Sequence, residues 1–122
     1  MAGETNIPVQ NLAARSKIDT ITWTAATLTA KNSFINDGKT ILLCKNCNAA
    51  TRTVTVKSVA DEDARTGDIS VTVPAFSTPN DGFSIVAPTS PRHLFNRASD
   101  GVVIVECSAE ADLYYAAVRL PI

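Results

Sequence analysis

An all-β fold is predicted, an antiparallel β-sandwich of jelly-roll or immunoglobulin-like type with about eight strands and an extended N-terminal arm. Three observations predict it. Apolar residues recur with a period of two, turn-forming residues interrupt them at short intervals, and helical periodicity is almost absent. β-Branched residues fill the alternating runs because they suit a pleated, half-buried surface. Two segments, 1–19 as the arm and 20–122 as the sandwich domain, account for the whole chain of 122 residues.

The arm contains Pro8, scattered polar residues and loosely spaced apolar ones: Ile7, Val9, Leu12 and Ile18. No capping residue supports a helix over Leu12–Lys17. Either the segment frays, as termini do, or it becomes ordered by docking on a neighbour. Ile7, Val9 and Leu12 are the side chains such an arm offers to a partner.

The strands follow in order. Ile21, Trp23 and Ala25 alternate with Thr20, Thr22 and Thr24. Phe34-Ile35 is separated from Ile41–Cys44 by Asp37-Gly38, a strong hairpin signal. Val54 and Val56 share one face, with Thr53, Thr55 and Lys57 on the other. Ile69, Val71 and Val73 repeat that pattern beyond the polar connection 61–68. Asn80-Asp81-Gly82 introduces Phe83–Val86, and Asp100-Gly101 introduces Val102–Val105. In the last strand Tyr114, Ala116, Val118 and Leu120 oppose Tyr115, Ala117 and Arg119. Ile41–Cys44 and Val102–Val105 are apolar on both faces, as strands are that lie centrally in a sandwich or have their outer face covered by a loop, the chain's own terminus or another subunit.

Trp23, Phe34, Phe83 and Phe95 are the expected core aromatics. Tyr114 and Tyr115 are neighbours in one strand, so one ring points away from the core. Tyr115 joins Ile7, Val9 and Leu12 as a candidate contact residue.

Composition narrows the function. Eleven basic and twelve acidic residues leave a net charge of −1, which gives no excess with which to grip nucleic acid. The apolar runs fall far short of the ~20 residues that span a membrane. The N-terminus lacks the basic and apolar regions of a secretory signal, and three cysteines cannot pair fully, so a reducing compartment is expected.

Catalytic chemistry finds little footing. His93 is the single histidine, and no Gly-x-Ser-x-Gly elbow accompanies it. Cys44-Lys45-Asn46-Cys47 has zinc-ribbon spacing, but only Cys107 and His93 remain as further ligands. A thioredoxin-type site would need a helix in a βαβ unit. Asp61-Glu62-Asp63 misses the EF-hand spacing because Arg65 occupies a ligand position. No catalytic residue, cofactor or metal is expected.

Phe34-Ile35-Asn36-Asp37-Gly38-Lys39-Thr40-Ile41-Leu42-Leu43, Lys45-Asn46 and Thr51–Val56 together resemble a family of small structural proteins of tailed bacteriophages. The likeness continues through Val71–Ala75, Phe95-Asn96, Asp100–Val102 and Ala116–Leu120. These proteins resemble head decoration, or cement, proteins, β-sandwiches that bind the outer capsid surface and bridge capsomers. Cys44 and Cys47 depart from the residues more usual at those positions. The resemblance implies a virion protein that binds the major capsid protein and itself, as a homotrimer ahead of a homodimer, without nucleic acid or membrane. A carbohydrate-binding or adhesin-type sandwich, or a tail or neck component, is the alternative.

Overall fold

In the computed structural model, residues 4–13, 17–18, 20–58, 68–76, 82–86 and 101–120 are described. They form ten strands and no helix: β1 (Thr5–Asn6), β2 (Val9–Asn11), β3 (Thr24–Ala25), β4 (Asn32–Ile35), β5 (Thr40–Asn46), β6 (Arg52–Val56), β7 (Ile69–Val73), β8 (Gly82–Val86), β9 (Val102–Cys107) and β10 (Leu113–Arg119). The eight expected strands correspond to β3–β10. The two additional strands come from the segment expected to be an arm.

Two sheets face each other. Sheet I has the order β1-β4-β9-β6-β7, and sheet II runs β2-β10-β5-β8 with β3 also paired to β10. Pairing is antiparallel except where the N-terminal segment joins, since β1 lies parallel to β4 and β2 parallel to β10. The sheets are therefore mixed.

Alternation decides what enters the core. From sheet I, Phe34, Val54, Val56, Val73, Val103 and Val105 point inward and are almost fully buried. Sheet II answers with Leu42, Cys44, Leu113, Tyr115 and Ala117. Ile7 lies between β1 and β2, at the point where the chain passes from one sheet to the other, and it is buried with this cluster. Its N–H donates to the Ser33 carbonyl, and the Leu12 N–H donates to the Arg119 carbonyl. Thr5–Asn6 and Val9–Asn11, within the segment expected to be an arm, instead pair into the chain's own sandwich.

Asp37-Gly38 does form a turn, with Gly38 at φ 87°, a left-handed conformation that glycine adopts without a Cβ clash. Asn36 Oδ1 accepts from the Gly38 N–H and Asp37 Oδ1 from the Lys39 N–H. The turn is not a hairpin, however. It carries the chain from β4 in sheet I to β5 in sheet II. A local signal fixes the reversal but not which sheet the next strand joins.

Another corner depends on a missing side chain. A Cβ on Gly82 would stand 1.8 Å from the Pro74 carbonyl oxygen, because the end of β7 passes directly against the start of β8. Asn46, fully buried, donates to that same oxygen and to the Ala50 carbonyl. Arg52 also faces inward, with Nε and Nη2 donating to the Ala111 carbonyl. Its buried charge is thus met by a carbonyl dipole.

Candidate interaction face

Sheet I has an apolar outer strip at Ile35, 64% exposed, beside Val102 and Ile104. Outward positions of β6 and β7 are Thr53, Thr55, Ser70 and Thr72, a hydroxyl-rich surface suited to water. Sheet II presents apolar side chains in successive rungs across β10, β5 and β8. One rung is Tyr114–Lys45–Phe83 and the next is Ala116–Leu43–Ile85, followed by Val118 opposite Ile41. Ala116 and Val118 are buried, whereas Phe83 and Ile85 are 54% and 65% exposed. Such a cluster on one face marks a contact surface more often than isolated exposed apolar residues do.

The first rung carries an aromatic cluster. The Trp23 and Phe83 ring centroids are 6.3 Å apart. Lys45 Nζ lies 4.6 Å from the centroid of Trp23 and 5.4 Å from that of Tyr114, within cation–π range of both. Gln10 fastens the stretch before Trp23 to this side. Its amide donates to the Thr22 carbonyl and accepts from the Thr22 N–H. Among the described strand residues pointing outward from sheet II, Lys45 is the one charged side chain.

The contact residues expected from the sequence are placed differently. Tyr115 is fully buried beside Cys44, its cross-strand partner, so the outward ring is Tyr114. Ile7 is buried in the core and Val9 packs against it. Leu12 is half-buried. Ile7 and Tyr115 are thus consumed by the chain's own interior and cannot meet a partner while the sandwich is intact. Trp23 and Phe83, expected in the core, lie instead on the outer face of sheet II. Phe34 does fill the core, and Phe95 lies outside the described residues. Alternation alone could have paired Phe83 with Ile85 and Lys45 with Leu43; which parity faces out depended on pairing across strands distant in sequence.

The cysteines separate by environment. Cys44 points into the core, and burial pushes its thiol up to about 12. It behaves as a small apolar residue, while Cys47, just past the strand, is exposed. Cys107 is half-buried on the inner face of sheet I, with its thiol raised first by desolvation. No group of three or more potential metal ligands gathers among the described residues. His93 and the acidic turn 61–63 lie outside them.

No family model, curated protein or solved structure matches the chain.

Proposed function

We propose that the chain is a virion structural protein, a decoration protein that binds the outer surface of a phage head and stabilises contacts between major capsid protein subunits. One observation carries the reading, namely the apolar outer face of sheet II, ending in the exposed pair Phe83 and Ile85. Burying such a face across a subunit boundary lowers the free energy of the assembled shell. Individual contacts can be weak, because repetition over a lattice and a homotrimeric form supply avidity. The strand-and-turn resemblance around Phe34–Val56 points the same way.

Co-sedimentation with purified heads lacking the protein tests this. Wild type should pellet with the heads, and a Phe83→Ser, Ile85→Ser variant should stay in the supernatant while remaining folded. Wild-type protein that never pellets with heads removes the proposal. A tail or neck component would instead bind tails at low copy number.

The cluster of Trp23, Tyr114 and Phe83 favours a second reading, a carbohydrate-binding face, since sugars stack on exposed rings. Glycan-array binding that disappears in Trp23→Ala and Phe83→Ala would support it.

A further inference from the structure

On the reading that sheet II docks on a protein shell, Lys45 decides what can occupy the face. Among the described outward strand residues of sheet II this ammonium is the one charge, on a face otherwise apolar except for Gln10; it rests against Trp23 and Tyr114 and has no carboxylate partner among the described residues. Covering it with a purely apolar surface would strip water from an unpaired cation, a strongly unfavourable step. A matching occupant must bring a negative charge to this point and aliphatic surface beside it.

A second copy of the chain supplies no such charge from its described residues. Asp37 is held by Arg119, Asp68 by Lys57 and Glu106 by Lys31. Glu110 accepts from the Leu28 N–H and Asp112 from Asn48. Glu4 is also engaged. On the head-binding reading, the anion that meets this cation comes from the shell protein.

The shape of the face says what kind. From Lys45 through Leu43 to Ile41 the outward row runs about 13 Å, given a rise of ~3.3 Å per residue. It widens onto Ile85 across the neighbouring strand. A single acidic sugar would cover the aromatic rung and leave this aliphatic row in water. An extended polypeptide has the reach to fill both.

We infer that the occupant is a polypeptide segment of another protein, carrying one Asp or Glu flanked by aliphatic side chains, with its carboxylate on Lys45 between Trp23 and Tyr114. Lys45 is then the specificity contact, and the apolar rows supply the buried area.

Head co-sedimentation with Lys45 variants tests the charge. Lys45→Arg should bind within a few-fold of wild type. Lys45→Gln should bind at least about tenfold more weakly and Lys45→Glu more weakly still, as expected for a desolvated interfacial charge pair. Unfolding midpoints close to wild type would establish that both variants are folded. Lys45→Glu binding heads as well as wild type overturns the inference while leaving the head-binding reading intact. Wild type failing to bind heads removes that reading. A second arm then judges the face directly. Trp23 is the chain's single tryptophan, so its emission reports occupancy. Synthetic peptides of alternating valine with a central Glu, or a central Lys, are titrated alongside sialic acid and glucuronic acid. A shift with the Glu peptide alone supports the inference. A shift with both peptides, with neither, or with the acidic sugars overturns it.

Discussion

Arg119 and Asp37, 82 residues apart in sequence, form an ion pair that fastens the β4–β5 corner to the last strand. The guanidinium's hydrogen bond is the main cause holding the Asp37 carboxyl below its usual 3.8, helped by the Lys39 N–H and opposed by partial burial. A carboxyl lowered in the folded state contributes stability above its unfolded value and loses it as pH falls through its folded one. The contribution should therefore be complete at neutral pH and fade below about pH 4. Both side chains are partly exposed, so solvent screening limits it to ~0.2–1 kcal/mol. Asp37→Asn should lower the urea midpoint slightly at pH 7, by an amount that shrinks as the pH falls below about 4.

Tyr115 presents the opposite case, a polar group buried without reward. Its hydroxyl makes no hydrogen bond of good geometry, with the Cys107 thiol offering only a weak interaction. Desolvation foremost, and then the neighbouring thiols Cys107 and Cys44, push the phenol well above its ordinary value. Removing the hydroxyl alone should cost little, because an unsatisfied buried polar group is itself unfavourable. Tyr115→Phe is expected within about 1 kcal/mol of wild type, or more stable. Tyr115→Ala should lose ~3–5 kcal/mol by opening a cavity. A phenylalanine variant losing as much as the alanine variant would mean that the hydroxyl holds a structural bond.

These two residues also mark how far the sequence could be read. The period-two pattern in Tyr114–Leu120 separated Tyr114, Ala116 and Val118 from Tyr115 and Ala117, as the structure has them. It could not say which set faced the core, since both are almost equally apolar and Ala116 and Val118 are buried on the outer side. The Asp37-Gly38 turn was legible, yet its strands enter different sheets because pairing with β9 and β10, far along the chain, decides membership. Lys45 was legible only as part of a Cys-x-x-Cys spacing. Its role on the face follows from Phe83 and Tyr114 sitting on either side of it, a relation between three strands.

Gly82 gives a sharp packing test. The Pro74 carbonyl oxygen lies where a Cβ would be, and it is backbone that also accepts from Asn46, so it cannot move aside cheaply. Gly82→Ala should destabilise by ~1–3 kcal/mol or more through overpacking. Differential scanning calorimetry would measure the loss. An unchanged melting temperature would mean that β7 and β8 do not approach so closely.

Thiol labelling reads the cysteine environments without altering them. At pH 8 Cys47, which is exposed, should react promptly with a chromogenic disulfide reagent. Cys44, with its thiol raised to about 12 by burial, should stay silent until denaturant is added. Half-buried Cys107 should be slow. Mass mapping of the first labelled peptide provides the check, and early labelling of Cys44 would contradict the packing of β5 against the core.

The N-terminal segment carries the prediction that most separates a free arm from an integral part of the fold. A mobile arm could be trimmed with no effect on the sandwich. Here β1 and β2 add an edge strand to each sheet, and Ile7 between them is 1% exposed. Ile7→Ala should therefore cost ~2–4 kcal/mol, the range for truncating a buried aliphatic side chain. Val9 and Leu12, only partly buried, should tolerate alanine better. Chemical denaturation of the three variants, together with hydrogen exchange at the Ile7 and Leu12 amides, distinguishes the cases. Strong protection of both amides is expected, since each donates to a carbonyl of β4 or β10. Rapid exchange there, with Ile7→Ala as stable as wild type, would return the segment to the role of an unattached tail.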